Sequence, residues 1–138
     1  MRYARVGAAL LSLCALAAIG AGDEKKPSVK SMPPAVVKTE PQAGQTDVDP
    51  ATVKEIQVTF SKPMTDGNWA FAQTSKETFP KTTGKPRYLD DQKTCVLPVE
   101  LEPAKTYVIW LNKPPFDSFT DADGHKAVPY LLVFETKK

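Results

Sequence analysis

Across residues 55–61 apolar and polar side chains alternate strictly, with Ile56, Val58 and Phe60 on one side and Gln57, Thr59 and Ser61 on the other. A period of two is that of a half-buried β-strand. Pro63 closes it, because proline has no N–H to offer a ladder. The alternation returns in Asn68–Gln73 through Trp69 and Phe71, in Thr94–Val99 through Cys95, Leu97 and Val99, and in Lys105–Leu111 and Tyr130–Thr136. Ala35–Thr39 and Arg87–Leu89 are shorter runs of the same kind, while Thr74–Pro86 is polar and carries no assignable pattern. Turn chemistry separates the runs, in Ala43-Gly44-Gln45, Asp66-Gly67 and Asp90-Asp91. No apolar stripe at i, i+3, i+4, i+7 lasts three turns in the part of the chain that holds all 13 prolines. The pattern predicts an all-β fold, a β-sandwich of about seven antiparallel strands.

The first residues follow another rule. Arg2 and Arg5 precede an apolar stretch, Val6 to Ala21, which ends in small residues and then the charges of Asp23-Glu24-Lys25-Lys26. That is the layout of a secretory signal peptide. Residues 1–22 are assigned to it, with cleavage expected between Gly20 and Asp23, although retention as an N-terminal anchor remains an alternative. Cys14 lies inside the apolar stretch after Leu13 and before further apolar residues, which is not the setting of a lipid-modified cysteine. Residues 23–34, charged and interrupted by proline, read as a flexible linker, and residues 35–138 as one domain.

Removing residues 1–22 takes away two arginines and no acid, so the 18 basic residues fall to 16 and equal the 16 acidic ones. The balanced charge leaves no basic stripe to condense on phosphate, so nucleic acid is excluded as a partner class. After leader cleavage no membrane span is expected. Export would permit disulfides, but Cys95 is then the only cysteine; its place in an apolar alternation reads as a buried small hydrophobe, with a free thiol for intermolecular pairing as the alternative.

Candidate chemistry is sparse. The single histidine, His125, follows Asp123-Gly124 in a turn, and no nucleophile elbow, metalloprotease helix motif or phosphate-cradling loop is present. An enzyme is not expected, nor any cofactor. Asp117, Asp121 and Asp123 are the one weak metal candidate, since Asp-x-Asp-Gly begins some calcium loops. The later ligand positions of such a loop are occupied by His125 and Leu132, which breaks the pattern. A looser site that adds Asp47 or Asp49 from another loop stays open, against the plainer reading of a hairpin turn and solvated acids.

Four stretches of the chain resemble a known family. Leu101-Glu-Pro-Ala-Lys-Thr-Tyr107 is similar to the tyrosine-corner entry of Ig-like sandwiches, in which the hydroxyl of the matching tyrosine, here Tyr107, bonds back to upstream backbone. Val58-Thr-Phe-Ser-Lys-Pro-Met64 resembles the signature of bacterial Ig-like domains of the SbsA type, named from surface-layer proteins. Asp121-Ala-Asp-Gly124 with Val133-Phe-Glu-Thr136 resembles that family's last hairpin, and Pro34 to Gly44 with Val48 its first strand and loop. The likeness covers residues 34–136. It implies an Ig-like sandwich, a noncatalytic role and no catalytic residues to carry over, with Phe60, Tyr107 and Phe134 as structural positions. The chain departs from the family's habit in standing as a single module behind a leader. It also departs in the aromatic residues of Asn68–Tyr88.

The informative candidate site is apolar. Tyr107, Ile109 and Leu111 share one face of their strand and Val108 and Trp110 the other; Leu131 and Val133 likewise oppose Tyr130, Leu132 and Phe134. A strand with one wet face should be polar outward. If the two strands are neighbours, Val108, Trp110, Leu131 and Val133 form a patch, joined by Phe116 and Phe119 of the loop Pro114–Phe119, unless that loop folds over and covers it. Trp69 is either a further contact residue or a buried tryptophan of the third strand. The expected function is an exported, monomeric, noncatalytic module with a structural or protein-binding role at the cell envelope, in periplasm, at the surface or in the medium. A carbohydrate-binding module stacking sugars on Trp69, Tyr88 or Trp110 is the alternative. The partner, protein or polysaccharide, is not legible.

Overall fold

A computed structural model describes residues 26–138. The leader assigned to residues 1–22 lies outside the described residues. Eight strands form: β1 (Val36–Glu40), β2 (Glu55–Phe60), β3 (Phe71–Gln73), β4 (Lys81–Thr82), β5 (Arg87–Tyr88), β6 (Thr94–Glu100), β7 (Thr106–Leu111) and β8 (Tyr130–Glu135). Every strand pair is antiparallel. One sheet runs β1-β2-β6-β4, with β5 also pairing β6, and the other runs β3-β7-β8. The eighth strand, β4, is two residues long and lies in the polar stretch that showed no alternation. Short edge strands of this kind are held by pairing rather than by burial.

The alternation dictates what meets between the sheets. Ile56 opposes Leu97 and Val58 opposes Cys95, and all four are buried. Across the gap stand Tyr107, Ile109, Leu111, Leu132 and Phe134, also buried, so two inner faces form one core. Phe60 and Phe134 belong to it, Phe134 with its ring centroid 5.4 Å from that of Tyr107. At the corner before β7, Ala104 takes a positive φ, and the Glu102 N–H donates to the Tyr107 hydroxyl at 2.8 Å. Cys95 is a wholly buried thiol, pushed up to about 12 by burial. The aromatic residues of 68–88 that exceeded a bare scaffold's needs, Trp69, Phe71, Phe79 and Tyr88, all pack against the core.

The edges of the sandwich are managed. β1 carries an irregularity between Val36 and Lys38, which twists an edge away from templated pairing. Beyond β1 the chain crosses to the other sheet and lies along the free edge of β8. There Gly44 N–H donates to Val133 C=O at 2.7 Å, Glu135 N–H to Gln45 C=O at 2.8 Å, Val48 N–H to Glu135 C=O at 3.2 Å, and Lys137 N–H to Val48 C=O at 2.9 Å. This pairing is parallel, with Val48 beside Thr136. Gly44, at φ 84, supplies the turn that admits the segment to the edge.

The linker reading of residues 23–34 needs correction for its second half. Ser28–Ser31 make a turn, with Ser31 N–H and Met32 N–H donating to Ser28 C=O. The Lys62 ammonium donates to the carbonyls of Val29 (3.0 Å), Lys30 (2.9 Å) and Met32 (2.7 Å). The Pro34 carbonyl accepts from Val128 N–H at 2.9 Å. A segment lacking any apolar periodicity is thus tied down by a cation roughly 100 Å of extended chain away, a contact that periodicity cannot report.

Candidate functional site

The register between β7 and β8 sets Val108 opposite Val133 and Trp110 opposite Leu131. Direct cross-strand partners lie side by side on one face of a sheet, so these four side chains are contiguous on the side away from the core. β3 adds Ala72 beside Trp110. Leu131 is 40% exposed, and Val108, Trp110 and Val133 are half-buried. The Lys113 ammonium stands 5.1 Å from the Trp110 ring centroid, within cation–π range.

The loop after β7 does not cover this face with its aromatics. Asn112, at φ 61 and buried, organises the loop: its side-chain amide donates to the carbonyls of Phe119 (3.1 Å) and Ala127 (2.8 Å), and its side-chain oxygen accepts from Phe119 N–H at 2.8 Å. This clasp turns Phe119 inward, against Phe60 at 5.0 Å and edge-on to Phe71 at 5.2 Å. Phe119, expected at the contact surface, is therefore a fully buried core residue. Phe116 stays outside at 66% exposure. Trp69 is half-buried against the core, its carbonyl accepting from the Ser118 hydroxyl at 2.7 Å, which is the buried-tryptophan alternative rather than a platform. Tyr88 is likewise packed inward, and burial pushes its hydroxyl up. Of the three rings proposed to stack on sugars, only Trp110 faces outward.

The acids divide as well. Asp117 accepts an ion pair from Lys126 at 2.8 Å, and Asp123 is exposed. Asp121 is not a solvated acid: its side chain is 4% exposed and pairs with Lys62, 8% exposed. One carboxylate oxygen accepts from the backbone N–H groups of Asp123 and His125, each at 2.9 Å, and the other lies 2.8 Å from His125 Nδ1. Burial alone raises such a carboxyl, but the Lys62 ammonium, the His125 ring and the two N–H donors together hold it well below the usual range. Donor atoms of Asp121, Asp123 and His125 come within 4.8 Å of one another. Lys62 nevertheless already stands as the cation against Asp121, with three carbonyls completing its shell. Asp47 and Asp49 do not join this group. Asp47 accepts from Gln45 at 3.2 Å, and Asp49 pairs with Lys137 at 3.3 Å, beside the opposite end of β8.

The pattern in the sequence disclosed the outward face; it missed the Lys62–Asp121 pair. The signal available was a lysine flanked by Ser61 and Pro63 at the end of an amphipathic strand, which does not disclose a buried pair. No helix among the described residues is long and apolar enough to cross a membrane.

Comparisons with known proteins agree with the architecture. The S-layer protein SbsC aligns structurally over 79% of this chain, with 19% identity: the crystal structure of rSbsC(31-844) gives a TM-score of 0.50 and that of the N-terminal part of SbsC gives 0.51. The chain spans 14% and 24% of the lengths of those two structures, so the likeness is to one portion of a larger protein and shows the fold alone. None of the curated proteins compared with the chain matches it. The sequence profile described as bacterial Ig-like domain matches residues 30–136, a span that takes in two of the three carbonyls held by Lys62, those of Lys30 and Met32. The chain belongs to the bacterial Ig-like domain family.

Proposed function

We propose that the chain is an exported, noncatalytic module of the bacterial cell envelope that works by contact, through the outward face of the β3-β7-β8 sheet. The observation that supports this best is the pairing of Val108 with Val133 and of Trp110 with Leu131. An apolar strip left partly exposed on a sheet face whose other side already has a full core is a surface of the kind that serves partners. Phe116 stands exposed on the loop that begins at the Trp110 end of β7 and extends the surface. A protein of the envelope is the favoured partner, because Trp69 and Tyr88 pack inward and leave a sugar one ring rather than a row of platforms. The kinship in fold with portions of a surface-layer protein fits a module that holds or joins rather than transforms.

The experiment is capture of partners from an envelope extract by the immobilised chain and by its Leu131→Asp variant, with a glycan array in parallel. Retention of a protein by the parent and its loss with Leu131→Asp is the expected result. Array binding abolished by Trp110→Ala would move the function to carbohydrate. Equal capture by parent and variant would remove this face from the function.

A further inference from the structure

We infer that the end of the sandwich at which the described chain enters is a lipid-contacting tip, which seats Val29 and Met32 among the phosphate headgroups of a bilayer. The tip is a different surface from the outward face of β3-β7-β8 and stands independently of it.

Exposed apolar side chains are ordinary when scattered, but here they are gathered. The entry end is where Val36 pairs with Phe60, the last residue of β2, and where Val128 N–H donates to Pro34 C=O just ahead of β8. Val29 is 71% and Met32 50% exposed there, and Val128 is exposed beside them. Phe116 lies at the same end, on the loop after Leu111, whose partner Tyr130 opens β8. Val37 and Leu131 are the second residues of β1 and β8, and Leu89 bonds Thr94 at the start of β6. Among the described residues no other large apolar side chain is exposed, so the opposite end has none.

The Lys62 cage fixes how the tip is presented. The carbonyls of Val29, Lys30 and Met32 turn inward to one buried ammonium, while the Val29 and Met32 side chains stand in water. Polar backbone in and apolar side chains out is the reverse of ordinary burial. Asp121 holds that ammonium, and is itself held by two backbone N–H groups and His125. A tip fixed in this way meets a surface with little further ordering.

Two hollows flank the segment and differ in character. One, of about 380 Å³, is walled by Val29, Pro63 and Ala122 beside the Lys62–Asp121 pair. The other, of about 920 Å³, is lined by Lys26, Ser28, Lys30, Ser31 and His125, with Asp123 as its one acid. An apolar hollow next to a cationic, hydroxyl-lined one matches a phospholipid, whose acyl end and phosphate lie side by side at a bilayer surface. Lysine stems cover apolar surface while their ammonium groups reach phosphate. The sequence adds the reason to choose a membrane over another occupant. The apolar stretch Val6–Ala21, the expected leader, ends five residues before Lys26, roughly 18 Å of extended chain at most. The entry end is therefore the end that the leader brings to the bilayer.

The test mixes the exported chain, its N-terminus read by mass spectrometry, with protein-free vesicles of phosphatidylethanolamine and phosphatidylglycerol. An environment-sensitive dye is placed on Val128→Cys at the entry end or on Ala51→Cys at the opposite end. A fluorescence shift at the first site and none at the second is expected. The double variant Val29→Gln with Met32→Gln, which alters only exposed side chains, is expected to abolish that shift and, in a chain free of its leader, to weaken vesicle binding at least tenfold. Lys26→Glu with Lys30→Glu should weaken it on these vesicles and not on phosphatidylcholine alone. Equal shifts at both sites, or none, would overturn the inference. So would release from the vesicles by inorganic phosphate, which would make the hollow a site for the free anion. Self-association in the absence of vesicles that is lost in Val29→Gln with Met32→Gln would overturn it too, by giving the tip to a second copy. The vesicles carry no protein and the capture experiment with Leu131→Asp reads protein alone, so the two proposals fail separately.

Discussion

The outer faces of the two sheets are made by the same alternation and differ in nearly everything else. On the larger sheet Thr59 and Thr94 share a hydrogen bond at 3.1 Å, Asp91 accepts from the Thr94 hydroxyl at 2.7 Å, and Lys38 pairs with Glu40, Lys81 with Glu100 and Arg87 with Glu55. Val37 of β1 stands 63% exposed at the sheet's edge, and Val96 is paired with Arg87 on one side and Gln57 on the other. It is fully buried, because the Arg87 side chain crosses β6 to reach Glu55. On the smaller sheet Val108, Trp110, Leu131 and Val133 stand together, with the Lys113 ammonium against the Trp110 ring. The first face is closed mostly by polar pairs of its own; the second carries the surface proposed above for a partner.

The comparison is broken most severely by charge. Val96→Asp would bury an unpaired carboxylate beneath the Arg87–Glu55 bridge, and is expected to cost several kcal/mol and abolish cooperative unfolding in denaturant melts. Leu131→Asp, one sheet away at a position of the same hydrophobic character, is expected to change stability by about 0.5 kcal/mol or less in the same melts. If the two variants lost equal stability, the faces would not differ as described.

Next in size is the end of the sandwich that bounds both faces. Asp121→Ala leaves the Lys62 ammonium buried without its counter-charge, and a loss of about 3–5 kcal/mol is expected by denaturant titration. Its pH dependence has a definite sign. The folded carboxyl is held below its unfolded value, so its contribution is complete above the unfolded carboxylate range. It declines as pH falls below about 4, because the unfolded chain then binds the proton more readily. Acid titration of the parent should show that loss, and Asp121→Asn should flatten it.

Smaller still is Tyr107→Phe, which leaves the Glu102 N–H without its partner at the corner into β7. About 1–2 kcal/mol is expected by thermal melt, with Trp110 fluorescence unaltered because the change lies on the inner side of the strand.

What the sequence disclosed follows from range. Strands with a strict period of two, such as Glu55–Phe60, needed only neighbouring residues to be read, and each apolar position of that run is in the core. The outward strip was legible for the same reason, since Val108 and Trp110 broke the rule that an outward position is polar. The failures were all matters of long range. Phe119 reads as a loop aromatic until Asn112, seven residues earlier, is seen to hold its backbone from both sides. Asp121 reads as a solvated acid until Lys62, at the end of another strand, is placed against it. Residues 28–34 read as a linker until the same lysine is found to collect their carbonyls. β4 forms where no alternation exists, because β6 offers an edge at Val99 and Glu100. Periodicity reports which way a side chain points, and says nothing of a single charge that gathers three segments.

The central claim is that the apolar face of β3-β7-β8 is kept for a partner and the polar face of β1-β2-β6 is not. The direct measurement is a pair of binding isotherms to isolated envelope, one for Trp110→Ser and one for Gln57→Ser, each variant first shown to melt within a degree or two of the parent. At least tenfold weaker association for Trp110→Ser, with Gln57→Ser unchanged, is expected. Equal association for both, or a loss confined to Gln57→Ser, would contradict it.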